Sequence, residues 1–209
     1  MKQYQLTPEL KQKYSEINRD IAARLSQFKS VPKEHYFYEL CYCICTPQSK
    51  AKNAGEVQRI LMELDFLNNP FDPTEILREP GRYIRFHNQK SLSLLRARDE
   101  FPEILKILDS DISNYEKRDW LAANFKGFGM KESSHFLRNI GYTGLAILDR
   151  HILRNMTICG IYDELPTIKS AVHYREIEKD LLKFADHSRI NFDELDLLFW
   201  ANSTGEILK

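Results

Sequence analysis

Apolar residues recur at helical spacing along almost the whole chain. Leu10, Tyr14, Ile17, Ile21 and Leu25 fall on one helical stripe, opened by Thr7 as N-cap and Pro8 at the first helical position. Pro32 marks a second start, and an aromatic- and Cys-rich run from Tyr36 to Thr46 ends before Pro47. A third helix is expected from about Ser49 to Leu64, with Val57, Ile60, Leu61 and Leu64 on one face. Asp72-Pro73-Thr74-Glu75 reads as a capping box opening a short helix that Pro80-Gly81 closes. A long helix is predicted from Asn88 to Leu108, with a break near Pro102.

Ser113-Asn114-Tyr115-Glu116 is a second capping-box pattern. It opens a helix with Tyr115, Trp120 and Leu121 as apolar positions. Gly127 to Gly129 form a turn, and a helix from Lys131 to Ile140 stops at Gly141. Another helix is expected to start near Gly144 and to carry Asp149 close to its N-terminus. Two more are expected at about 167–185 and 191–202. No segment sustains strand alternation, so the fold class is all-α. There is no internal repeat and no low-complexity tract.

The 209 residues are 43% hydrophobic and 11% aromatic, enough for an ordinary core in one domain or two small ones. Thirty basic residues balance thirty acidic ones. That excludes a charge-driven nucleic-acid coat protein but not an enzyme gripping one site through backbone amides. Between Gly81 and Arg98 there are five basic residues (Arg82, Arg85, Lys90, Arg96, Arg98) and no acid. This stretch is either a phosphate-facing surface or a solvated, ion-paired helix face. The first residues are polar and no 18-residue apolar run exists, so a cytoplasmic protein without membrane contact is expected. Cys41, Cys43 and Cys45 alternate, point in different directions on a helix, and lack the spacing of zinc or iron–sulfur ligands. With Cys159 they read as small buried apolar residues.

The chemistry concentrates in Phe125-Lys126-Gly127-Phe128-Gly129-Met130-Lys131-Glu132-Ser133-Ser134-His135, followed by Leu148-Asp149-Arg150-His151-Ile152. A Gly-x-Gly turn opening a helix gathers backbone N–H groups into an anion-binding nest. Lys131 at the start of that helix feels the positive end of the dipole, which favours the neutral, nucleophilic amine. A lysine is electrostatically unfavourable there as a merely structural residue. Asp149 reads either as an N-cap or as a carboxylate serving the reaction, and both roles are compatible. His135, one turn after Lys131, either modulates it or makes a structural hydrogen bond.

These residues resemble the helix-hairpin-helix plus Asp signature of the DNA glycosylase superfamily. The run K-G-x-G-x-K-E-x-S-H-F-L-R-N from Lys126 to Asn139, the chain length and a final Lys209 are similar to the compact prokaryotic 8-oxoguanine DNA glycosylase/AP lyases of the second type. The resemblance spans essentially the whole chain. It implies one glycosylase unit over 1–209, with two helical lobes and a cleft between them. The hairpin lobe would be the middle of the chain, and the N- and C-terminal helices would form the other.

The resemblance implies Lys131 and Asp149 as catalytic residues. Lys126, Gly127, Gly129 and Met130 would bind DNA phosphate, and Lys209 and Trp200 would read the extruded base. Trp200 has a core position as its alternative. Arg85 and Phe86 are candidates to enter the duplex where the base leaves. No cofactor, side-chain metal site or iron–sulfur cluster is expected; the hairpin carbonyls can hold a monovalent cation. The expected partners of this monomer are duplex DNA containing 8-oxoguanine and abasic DNA. The alternatives are the same chemistry on another oxidised base, or a non-catalytic helix-hairpin-helix DNA-binding module.

Overall fold

In the computed structural model, which describes residues 4–207, ten α-helices and two short 3₁₀ turns follow one another with no strand among the described residues. They fall into two compact units, Val31–Ile140 and Met1–Ser30 with Gly141–Lys209.

The continuous unit is built around α2 (Tyr36–Cys45), in which nine of ten residues are buried. A helix buried on all sides needs neighbours all round, and α2 packs against α3 (Ala51–Glu63), α5 (His87–Asp109) and α7 (Met130–Asn139). All four cysteines of the chain are free and buried, three of them on α2. Burial pushes the Cys45 thiol up to about 12 and the Cys41 thiol up as well. One buried carboxylate, Glu39 on α2, accepts from Gln58 Nε2 on α3 at 2.7 Å and from Asn139 Nδ2 on α7 at 3.2 Å. It thereby ties three helices together at the centre of the unit.

Several local expectations need correction in this unit. α5 runs unbroken through Pro102, because buried Phe101 and Ile104 on either side hold the helix together by packing. Leu64 is 50% exposed, since it lies at the C-cap of α3 where the buried face has already turned away. Asp72 forms no capping box with Glu75. Its carboxylate instead accepts from Thr74 N, Thr74 Oγ1 and Ser91 Oγ, fastening the start of α4 (Thr74–Arg78) to α5. On α6 (Asn114–Asn124), Leu121 is buried but Tyr115 is exposed, with the Arg118 guanidinium 5.2 Å from its ring centre. The Ser113–Glu116 capping box is present as expected.

In the second unit, α1 (Pro8–Lys29), α8 (Arg150–Ile158) and α9 (Ala171–Ser188) all pack on α10 (Phe192–Thr204). Thr7 caps α1 by accepting from Leu10 N. Lys13 Nζ donates to Ala201 O at 2.9 Å, and Tyr14 OH donates to Glu194, joining α1 to α10. Asn155 joins α8 to α10 through Phe199 O, Ser203 Oγ and Asn202 Nδ2. The helix expected from Gly144 does not begin until Arg150. Residues 144–148 are irregular and largely buried, because side chains of α10 and α9 take the Ile147 and Leu148 amides that a helix begun at Gly144 would use.

Candidate active site

Two helix N-termini carry the candidate chemistry. The first is the turn between α6 and α7. Phe125 and Phe128 are buried and meet edge to face at 4.9 Å, anchoring the turn from below. Gly127 has φ +101°, a conformation that L side chains rarely adopt, so glycine is required there. Gly129 is extended, with φ −105° and ψ −169°, so its backbone does not demand glycine. Its N–H donates to Glu132 Oε2 at 3.2 Å, the back-bonding half of a capping box. The Gly129 amide, expected to face phosphate, therefore already has a carboxylate partner. Lys126 is exposed beside it, and Met130 begins α7.

Lys131 is the second residue of α7 and its side chain is 34% exposed. Its Nζ lies 3.0 Å from Glu132 Oε1. One carboxylate thus holds both the turn amide and the lysine ammonium. Glu132 was not singled out by sequence reading, although glutamate three residues after the turn glycine is capping-box spacing. His135 stacks edge to face on Tyr42 of α2 at 5.8 Å, and Arg138 is buried with Nη2 3.5 Å from Asn139 Oδ1.

The same unit carries Arg85 and Phe86. Phe86 is 51% exposed and has φ 60°, a left-handed backbone that an aromatic residue adopts only under strain. The Arg85 guanidinium sits 5.0 Å from the ring centre. The five basic residues of this stretch divide. Arg82, Arg96 and Arg98 lie within 3.9 Å or less of Glu56, Glu100 and Asp99. Arg85 is exposed. Lys90 is buried, so it belongs to neither a phosphate-facing surface nor a solvated face.

The second N-terminus is that of α8. Asp149 is its N-cap, and Oδ1 accepts from both His151 N at 2.8 Å and Ile152 N at 2.9 Å. Both bonds fall on one oxygen, and among the described residues no partner is assigned to Oδ2. The approach to Asp149 is held amide by amide. Gly144 N donates to Asp193 Oδ1, Ala146 N to Glu178 Oε1, Ile147 N to Asp196 Oδ1 and Leu148 N to Tyr174 OH. Tyr174 OH in turn donates to Ala146 O at 2.6 Å. His151 then meets Trp200 of α10 edge to face at 5.2 Å. Trp200 is only half-buried, and its Nε1 is buried without a hydrogen-bond partner among the described residues. The chain turns at Gly205, φ +82°, and Arg24 Nη2 of α1 donates to Ile207 O at 3.2 Å. Lys209 lies outside the described residues.

The structure thus gathers Asp149 and Trp200 in one unit, and Lys126, Gly127, Gly129, Met130, Lys131, Arg85 and Phe86 in the other. Among the described residues no group of three or more His, Cys, Asp or Glu side chains is arranged to hold a metal ion.

An all-helical chain with a Gly-x-Gly hairpin, a lysine in the first turn beyond it and an aspartate capping a later helix has the build of a helix-hairpin-helix DNA-repair protein. The family model described as 8-oxoguanine DNA glycosylase matches residues 21–190. The 8-oxoguanine DNA glycosylase/AP lyase of Fusobacterium nucleatum is 37% identical over 219 aligned positions, covering 100% of both chains. That of Methanocaldococcus jannaschii is 37% identical, covering 94% of this chain and 95% of its own. A crystal structure of the M. jannaschii glycosylase/lyase in complex with a 15mer DNA containing 8-oxoguanine superposes with a TM-score of 0.84 at 34% identity. It covers 95% of this chain and 98% of that one. The chain belongs to the 8-oxoguanine DNA glycosylase family.

Proposed function

We propose that this chain excises 8-oxoguanine from duplex DNA and then cleaves the resulting abasic strand, with Lys131 as nucleophile and Asp149 as its catalytic carboxylate. The observation that carries the reading is Lys131, one-third exposed in the first turn of the second hairpin helix, in a family of glycosylase/AP lyases. The Lys131 amine attacks C1′ of an extruded nucleotide, and the C1′–N9 bond breaks with its electron pair leaving on the base. Loss of the amine proton and opening of the sugar ring give an imine. Abstraction of a C2′ proton then expels the 3′ phosphate, and water releases the enzyme from the unsaturated sugar.

Asp149 stabilises the positive charge that develops at the sugar and handles the amine proton. Its cap leaves Oδ2 for that work, among the described residues. Gly127, with Lys126, Gly129 and Met130, is the phosphate grip, phosphate replacing Glu132 on the Gly129 amide, and the carbonyls of the turn are the place for a monovalent cation. Trp200 offers a ring to the extruded base, and Lys209 reads its polar edge. Phe86, exposed and strained with Arg85 over it, fits a wedge that fills the space the base vacates. The working form is a monomer acting on 8-oxoguanine duplexes and on abasic DNA. No helix among the described residues is long and apolar enough to cross a membrane.

The test is borohydride trapping on a duplex with one 8-oxoguanine. The expected result is a covalent protein–DNA adduct that vanishes in Lys131→Gln. An adduct undiminished in that variant would overturn the assignment. An adduct formed with an abasic duplex but not with 8-oxoguanine would keep the lyase and reject the base specificity.

A further inference from the structure

The two oxygens of the Glu132 carboxylate are divided between two partners. Oε2 accepts from the Gly129 N–H at 3.2 Å, and Oε1 lies 3.0 Å from Lys131 Nζ. Adjacent residues on a helix project about 100° apart and do not ordinarily face each other. Lys131 meets its neighbour here because the Glu132 side chain turns back to reach the amide at the helix start.

The other hairpin helix offers a comparison. Glu116 occupies the same capping-box position on α6. It uses Oε2 alone for its cap, on Ser113 N at 2.8 Å and Ser113 Oγ at 2.7 Å, and no ammonium pairs with it among the described residues. Capping by itself therefore does not call for a carboxylate that also holds an amine. The face of the turn that Glu132 covers is otherwise open. A methyl group on Gly129 would meet Glu132 Oε2 at 3.4 Å and, among the described residues beyond its chain neighbours, nothing else within 4 Å. The single amide bond is at the long end of the hydrogen-bond range, so an arriving anion can displace the carboxylate.

We propose that Glu132 is a positioning residue that stands in for DNA phosphate. In the free protein it fills the Gly129 amide and holds Lys131 Nζ aside. A backbone phosphate entering the turn takes the amide, and the same displacement releases the lysine for attack on the sugar. The nucleophile is thus withheld until a strand is seated. The proposal rests on the reading of Lys131 as nucleophile and of the turn as the phosphate grip.

Two measurements on Glu132→Gln test it. Glutamine keeps an acceptor for the Gly129 amide but loses the charge that holds the ammonium. On the free protein, reductive methylation with formaldehyde and borohydride, read by peptide mass, reports how available each lysine is. Lys131 should be methylated about threefold faster in the variant, relative to exposed Lys52. On a plain abasic duplex, the variant should bind about threefold more tightly, and its gain in borohydride trapping should be confined to subsaturating DNA. Glu116→Gln, which alters the matching cap on α6, should move neither quantity. An unchanged Lys131 methylation rate, or weaker DNA binding, would overturn the proposal. So would slower trapping at saturating DNA, because Glu132 would then act within the bound complex. Lys131→Gln must form no adduct; an adduct there would refute the nucleophile assignment itself, however the Glu132 variant behaves.

Discussion

The two helix N-termini that carry the candidate chemistry are held by different means. The turn before α7 is a local construction. Gly127 supplies the left-handed residue, Phe125 and Phe128 anchor it, and Glu132 closes it by taking the Gly129 amide three residues back. The entrance to α8 is a long-range construction. The amides of Gly144, Ala146, Ile147 and Leu148 are bound by Asp193, Glu178, Asp196 and Tyr174, residues 26 to 49 positions away in sequence. Damage to the first should stay near its turn, whereas damage to the second should spread from residues remote in the chain.

The sharpest test of the comparison lies at its chemical ends. Lys131→Gln should leave the melting temperature nearly unchanged, because the side chain is partly exposed and its ion pair with Glu132 lies near the surface, and cut strand nicking by about a thousandfold or more. Nicking assays beside thermal melts check both halves. Asp149→Asn should separate cap from catalyst. Asparagine caps a helix as well as aspartate, so stability should hold, while single-turnover excision should fall about a hundredfold or more. Asp149→Ala should lose the cap too, at about 1 kcal/mol, read from denaturant unfolding.

Breaking the remote scaffold should cost more stability than breaking the local one. Glu178→Ala leaves the buried Ala146 amide without its acceptor and should destabilise by about 1–3 kcal/mol. It should also slow excision by loosening Asp149. Gly127→Ala forces a side chain into φ +101°, with only van der Waals contact to Ser93, and should cost about 1 kcal/mol. Equal costs in chemical denaturation would erase the distinction between the two constructions.

The smallest effect is on alkaline stability. Burial, with Glu194 adding to it, pushes the Tyr14 phenol up to about 12 from an ordinary value near 10. A raised folded pKa means stabilisation that is complete below pH 10 and is lost as pH rises through 12. Tyr14→Phe should therefore lose less stability than the parent between pH 10 and 12, measured as the change in melting temperature. A parallel loss in both proteins would assign the alkaline effect to other groups.

The hairpin was legible because its information is local. Gly127, Gly129 and Lys131 are within four positions, and the Ser113–Glu116 capping box reads from spacing alone. The start of α8 was misplaced at Gly144 because Leu145-Ala146-Ile147-Leu148 is a good helical pattern by itself. Only side chains of α9 and α10, Glu178, Asp196 and Tyr174, draw the Ala146, Ile147 and Leu148 amides away from that pattern. Lys90 was grouped with surface arginines for a similar reason, since a run of basic residues does not disclose which one turns inward.

The sequence by itself determined the all-helical class, most helix ends and the Gly-x-Gly turn, and it supplied Lys131 and Asp149 as the candidates proposed for the chemistry. Periodicity, glycine freedom and capping act within one or two turns, so they are written in neighbouring residues. The tertiary structure alone decided that Pro102 does not break α5, that Lys90 is buried and that residues 144–148 stay out of a helix. Each of these depends on which distant side chain arrives to fill a space or satisfy a polar group, and packing settles that only once the whole unit has formed.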